Sequence, residues 1–285
     1  MKINSIAPDK HKYLQIVTTI AKPPIKFFYS GTLPEDRVTS VAIVGTRKPT
    51  PYGREVTYQL AYDLAKQGVV IISGLALGID GIAHKAALDA GGRTIAILAN
   101  GLDTIYPSTH RSLAQSIIEK GGAILSEYDI GVEPRVYQFL ARNRIVAALS
   151  DAVIVTEAAA RSGTMATVAH ALEQNKEIFA IPGNITSPMS SGCNTILKQG
   201  AHVLTSADDV LEILSVNLPG SQQLLPLGTT PLETVIIALL QAGIRDGDEL
   251  QEKSSAPASD FAQALTMLEI NGVIRALGAN QWTLK

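Results

Sequence analysis

From residue 41 to about residue 204 the chain alternates short, unbroken apolar runs with longer amphipathic stretches, and this rhythm narrows the possible folds sharply. The runs are Val41–Gly45, Val69–Ser73, Thr94–Ala99, Ala123–Ser126, Ala152–Thr156, Ile178–Ile181 and His202–Leu204. Most are β-branched and none alternates with polar residues. A strand without a polar face must be covered on both sides, as inside a parallel sheet. Between the runs, Arg54–Gln67, Ile79–Ala90, Ser108–Lys120 and Gly163–Asn175 have helical spacing, and Gly68, Gly91 and Gly121 stop three of these stretches. The expected fold is α/β: a doubly wound, Rossmann-like parallel sheet over residues 41–216.

Residues 1–40 contain a Pro23–Pro24 break and too little apolar sequence for a domain, so a short N-terminal lead-in is expected there. Residues 217–230 hold Pro219, Gly220, Pro226 and Gly228 among polar positions and read as a linker. Beyond it, Pro231–Ala242 is a helix opened by proline. Helices near Asp246–Lys253 and over Ser259–Ile270 follow, and Val273–Leu277 and Gln281–Leu284 flank a Gly278–Asn280 turn. Three helices and a terminal hairpin predict a small winged-helix domain over residues 231–285.

The single cysteine, Cys193, excludes an internal disulfide framework and fits a reducing compartment. No apolar run is long enough for a membrane span, and no secretory signal is read, so a cytoplasmic location is expected. Net charge is −2. Residues 224–285 carry seven acidic and four basic side chains, which leaves residues 1–223 near neutral. A polyanion partner therefore requires positive charge focused in one cleft.

In an open parallel sheet, ligands bind outside the carboxyl ends of the strands, where loops enter helix N-termini. Those loops are rich in small residues: Gly45-Thr46-Arg47, Ser73–Gly78, Asn100-Gly101, Arg161-Ser162-Gly163-Thr164, and Pro182-Gly183-Asn184 running on to Gly192. Small residues let a phosphate approach the backbone N–H groups. One such loop is ordinary turn chemistry, but several on one edge, two with an arginine, favour a polyanion. Gly45–Thr50 has neither the dinucleotide glycine spacing nor a Walker lysine, which argues against a nicotinamide or ATP enzyme. Arg47 and Lys48 are placed to meet a phosphate, although Lys48 reads equally as a solvated loop residue. In a helical stretch, Phe139, Arg142, Asn143 and Arg144 form a cation-plus-stacking set; the competing reading puts Phe139 in the core and one arginine in a structural ion pair. Asp80 and His84 share a helix face but have no third ligand, so no metal is expected and their role is to tie the helix start to the loop Ser73–Gly78. Glu157 without a defined nucleophile is weak evidence for catalysis.

Taken in order, several stretches resemble the DprA/Smf (DNA-processing protein A) family. They are Val41–Arg47, Ser73–Asp80 with Ala83-His84, Gly101–Pro107, Leu125–Tyr128, Arg142–Arg144, Ser162–Thr164, Ala180–Gly183 and Ser191–Asn194. The resemblance covers roughly residues 25–214. It implies a non-enzymatic, cofactor-free protein that binds single-stranded DNA, protects incoming DNA in natural transformation, helps load RecA recombinase and self-associates as a homodimer. It assigns the DNA pocket to Gly45, Thr46, Arg47, Phe139, Arg142, Asn143 and Arg144; Lys48, Ser162, Gly163 and Thr164 join it as loop neighbours, with Ser73, Gly74, Gly78, Asp80 and His84 as the structural loop. Leu140 stands where the family has proline, which implies a more helical local backbone. The family's N-terminal helical domain has no counterpart in the first 40 residues.

Two alternatives stay open. One is a nucleotide-processing enzyme of the phosphoribohydrolase type, whose Pro-Gly-Gly-x-Gly-Thr signature with a following Glu is not matched by Arg161–Thr164. The other is a protein-docking adaptor, favoured by the acidic tail.

Overall fold

A computed structural model of the chain describes residues 2–214, 230–271, 273–278 and 280–284. The chain divides into two compact units, Met1–Val216 and Asn217–Lys285. The linker expected over 217–230 lies, except for Thr230, outside the described residues.

In the first unit the elements run β1 (Asn4–Ile6), β2 (Phe27–Gly31), β3 (Ser40–Val44), α1 (Pro51–Lys66), β4 (Val70–Ser73), α2 (Ile79–Asp89), β5 (Thr94–Leu98) and α3 (Arg111–Glu119). They continue as β6 (Ala123–Ser126), α4 (Val136–Leu149), β7 (Ala152–Val155), α5 (Thr164–Glu173), β8 (Glu177–Ala180), α6 (Ser191–Lys198), β9 (His202–Val203) and α7 (Ala207–Ile213). One sheet orders the strands β1-β2-β6-β5-β4-β3-β7-β8-β9. From β6 across to β9 neighbouring strands are parallel, as expected; β2 joins β6 antiparallel, and β1 joins β2 antiparallel.

The apolar runs lack polar alternation because both faces are covered. On β5, Ile95 and Ile97 face one core cluster with α4 and α5, while Ala96 and Leu98 face another with α3. Burying each such isoleucine is worth roughly 1.5–3 kcal/mol. The start of α1 is set locally: Pro51 occupies its first turn and the Thr50 hydroxyl accepts from Gly53 N–H at 3.1 Å.

Residues 1–40 are more than a lead-in. They supply the two antiparallel strands at one end of the sheet, and Tyr13, Leu14, Val17 and Phe27 are buried in the main core. Tyr13, Leu14 and Val17 lie in and beside a short 3-10 turn, Gln15–Thr19, so their one apolar face is too short to announce a regular helix.

The second unit contains α8 (Pro231–Gln241), α9 (Gly247–Ser254), α10 (Ala258–Ile270) and an antiparallel hairpin of β10 (Ile274–Gly278) and β11 (Gln281–Leu284). Thr230 and Glu233 form a reciprocal capping box at the start of α8. Phe261, Ala264, Leu265 and Leu268 on α10 pack with Ile236, Ile237, Leu250 and Ile274 into this unit's own core. Three helices followed by a hairpin make a winged helix.

Candidate nucleic-acid interface

The strand order places the switch point between β3 and β7: the chain steps from β3 through β4 and β5 to β6, then crosses back to β7 and continues through β8 to β9. Loops after β3 and β7 therefore leave in opposite directions and open a crevice at the carboxyl edge.

The loop after β3 is held on both sides by backbone. Thr46 N–H donates to Glu157 O at 2.7 Å, and Thr46 O accepts from Ile79 N–H at 3.2 Å. A Cβ on Gly45 would sit 2.8 Å from Glu157 O and 2.6 Å from Ile79 Cγ1. Gly78, at φ +80°, lets the start of α2 pass directly against Thr46 and Arg47, where a side chain would collide with their carbonyls. With the backbone so fixed, Arg47 and Lys48 project as exposed side chains. The Arg47 guanidinium lies 5.3 Å from the centroid of the Phe139 ring. It has no hydrogen-bonded or ionic partner among the described residues, so its donors stay available.

Phe139 is half-buried and lies 5.5 Å, centroid to centroid, from the tilted ring of Tyr106. Arg47, Phe139, Tyr106, Gly74 and Leu77 enclose a narrow slot of about 40 Å³. Tyr106, 43% exposed, was not singled out in the sequence, although it lies in the Gly101–Pro107 stretch. The helix α4 runs through Leu140 without interruption, the consequence expected of leucine in place of proline.

Arg142 and Arg144 do not join this slot as ligands. Arg142 is 4% exposed, and its Nη1 donates to Gly74 O at 2.8 Å and to Ile97 O. A Cβ on Gly74 would overlap that guanidinium, so glycine is needed for the approach. Burial lowers the Arg142 pKa to about 10, with attraction to Asp80 opposing the shift. Arg144 is committed to a bidentate pair with Glu127, at 2.7 and 2.6 Å, and also donates to Lys22 O. The expectation that both arginines face phosphate is thus corrected: one braces a loop, the other anchors α4. Asn143 lies between them; its Oδ1 accepts from Arg142 Nε at 3.3 Å and its Nδ2 reaches Gly163 O at 3.4 Å.

The loop Ser73–Gly78 is tied to β3 and to the start of α2 by hydrogen bonds. Ser73 Oγ donates to Ile43 O at 2.7 Å, and Gly74 and Ala76 N–H groups donate to the buried Asp80 carboxylate at 3.0 and 3.3 Å. Burial raises the Asp80 pKa, and Arg142 and the two amides hold it back. His110, also missed in the sequence, bonds Leu75 O through Nδ1 at 2.9 Å. His84 departs from expectation: it contacts Thr94 Oγ1 on β5 at 2.7 Å, not the loop. Because Thr94 Oγ1 donates to Ile71 O, the His84 Nδ1 must carry the proton, and Nε2 is a buried nitrogen without a partner. Burial, then His110 and Arg142, lower the His84 pKa to about 3.

On the far side of the switch point, Gly163 is exposed, Thr164 is buried at the start of α5, and Ser162 Oγ is buried without a hydrogen-bond partner. Among the described residues no cluster of His, Cys, Asp or Glu could hold a metal, and no helix is long and apolar enough to cross a membrane.

Residues 4–215 match the family model of DNA recombination-mediator protein A, and residues 221–280 match that of the DprA winged helix domain. Protein Smf of Escherichia coli is 40% identical over 95% of this chain and 75% of its own length. A DNA processing protein DprA of Streptococcus pneumoniae is 42% identical over 68% of each chain. The chain spans 61% of a Mycobacterium tuberculosis relative that is 39% identical. The solved S. pneumoniae structure superposes with a TM-score of 0.68 at 38% identity, covering 74% of each chain. DNA processing protein A of Helicobacter pylori, solved for its single-stranded DNA binding mode, gives 0.67 at 36% identity and covers 76% of this chain and 98% of its own.

Proposed function

The chain belongs to the DNA recombination-mediator protein A (DprA/Smf) family, and on that premise we propose that its α/β unit binds single-stranded DNA along the carboxyl edge of the sheet. The observation that carries this reading is the unpaired Arg47 stacked over Phe139 beside Tyr106. A guanidinium with free donors meets a phosphate, and an aromatic beside it accepts an unstacked base. Gly45, Thr46, Lys48, Asn143, Ser162, Gly163 and Thr164 surround this pair as loop and backbone contributors, while Arg142, Arg144, Ser73, Gly74, Gly78, Asp80 and His84 hold the scaffold. The aromatic slot suits splayed bases, which a duplex keeps stacked, so single strands are preferred over double strands.

In this reading the protein is a cytoplasmic, non-catalytic homodimer that protects incoming single strands during natural transformation and hands them to a RecA-type recombinase; the family's description as a recombination mediator supports this step. Binding measured on single- and double-stranded oligonucleotides across a salt series tests the first step. Preference for the single strand with steep salt dependence is expected. Equal affinity for duplex, or no binding at low salt, refutes it.

A further inference from the structure

The loop that follows β7, residues 156–163, forms the other wall of the switch-point crevice and carries one cation, Arg161. That side chain is exposed and has no hydrogen-bonded or ionic partner among the described residues. Nothing close in the chain cancels its charge. Glu157, in the same loop, is 3% exposed and already accepts from the Thr50 N–H and hydroxyl, both at 2.8 Å. The neighbouring loop after β8, residues 181–190, contains no charged residue.

The backbone around Arg161 is anchored at both ends, and its donors are left open. Ala160 N–H donates to Ser191 Oγ at 3.1 Å, and Gly192 N–H donates to Ala158 O at 2.9 Å. From α4, Asn143 Nδ2 reaches Gly163 O at 3.4 Å. Between these anchors the N–H groups of Arg161, Ser162, Gly163 and Thr164 have no acceptor among the described residues. Gly163 caps the ten-residue helix α5 and brings no side-chain oxygen to those amides. The hydroxyl of Ser162 is also buried without a partner, a state in which few buried polar groups are left. Successive amides at the positive end of a helix, an orphan hydroxyl and an unpaired guanidinium are all donors. Together they suit an anion with several oxygens.

The helix α4 joins this loop to the aromatic slot. Phe139 and Asn143 share one face of α4 and lie one turn apart, about 6 Å along its axis. Phe139 meets Arg47, and Asn143 meets Gly163. Leu140, 47% exposed, fills the interval, with its Cδ2 3.9 Å from the position a Cβ on Gly163 would take. A strand that places one base in the slot can therefore bring a neighbouring phosphate to the loop. We propose that residues 161–164 seat a second phosphate of that strand, with Arg161 as its cation and the open amides as its donors, so that the DNA crosses the switch point instead of ending at Arg47. The inference rests on the single-strand reading above and adds Arg161 to its contacts.

The test measures oligo(dT) affinity across a salt series for the full chain, Arg161→Ala and Arg161→Lys, with each thermal midpoint as the control for folding. Arg161→Ala is expected to make the plot of log affinity against log salt shallower by about 0.7, the value for one single-strand phosphate contact, and to weaken binding at least about threefold at low salt. Arg161→Lys keeps the charge and is expected to keep the slope. The midpoints should hold, because the exposed native side chain has no partner to lose. A folded Arg161→Ala protein with the native slope overturns the second phosphate seat, whatever its affinity, and leaves the single-strand reading standing. A slope lost equally in Arg161→Lys also overturns it, because the charge is then not what the strand meets. Failure of the native protein to bind oligo(dT) removes the single-strand reading and this inference together.

Discussion

Replacing Arg142 with Met keeps most of the apolar stem and removes the guanidinium from beneath the loop Ser73–Gly78. The native group donates to Gly74 O and Ile97 O and is the cation opposing the burial of Asp80. Hydrogen bonds from a charged donor are worth about 1.5–3 kcal/mol each, and carbonyls left unpaired in the interior add a penalty. Against that, Met relieves the cost of burying the charge, the same cost that lowers the Arg142 pKa to about 10. The loss of partners outweighs the relief because Asp80 and both carbonyls stay buried, so a net destabilisation of about 3 kcal/mol is expected. In a domain of this size that lowers the thermal midpoint by about 6–12 °C. Circular-dichroism melting of the Arg142→Met variant, paired with oligo(dT) binding, reads both effects. A midpoint within the error of the native protein, together with a large loss of DNA affinity, would refute the bracing role and return Arg142 to direct phosphate contact.

Phe139→Ala should weaken single-strand binding about tenfold through lost base stacking, with a small change in melting because the ring is half-buried; a large melting loss without a binding loss assigns the ring to the core. His84 is neutral in the fold with a pKa near 3, against 6.5 when exposed, so the unfolded chain binds the extra proton and stability falls as pH drops below about 6.5. From pH 7 to pH 5 this one group contributes about 2 kcal/mol of loss. Asp80, whose pKa burial raises, works in the opposite direction, so the informative quantity is the shallower pH slope of His84→Gln relative to the native chain. An unchanged slope contradicts the assignment. The isolated winged helix, residues 230–285, should shift neither duplex nor single-stranded DNA at low salt, because α10 carries Asp260 and Glu269 and no lysine or arginine; a clear shift contradicts this.

The parallel strands were legible because each is apolar on both faces, as β5 shows with Ile95 and Ile97 against one layer and Ala96 and Leu98 against the other. The sheet's antiparallel edge was not legible. The strand β1 has three residues, and the buried Tyr13, Leu14, Val17 and Ile20 keep one apolar face over less than three turns, which was overlooked beside the Pro23–Pro24 break. In the site, Arg47 and Phe139 were visible from their loop and neighbours, but their contact with Tyr106 joins segments distant in sequence. The spacing of the α4 arginines already separates their roles. Two residues apart on a helix, Arg142 and Arg144 point about 200° apart, so both cannot face one ligand. The Glu127 that pairs with Arg144 follows β6, and no spacing rule connects the two.

If Arg47 offers its guanidinium to DNA phosphate, the salt dependence of oligo(dT) affinity must differ between the native protein and Arg47→Ala. The plot of log affinity against log salt should become shallower by about 0.7 for one lost single-strand phosphate contact. Affinity should drop, and the thermal midpoint should hold, because Arg47 is exposed and anchors nothing in the core. A folded Arg47→Ala protein with the native slope and the native affinity contradicts the claim.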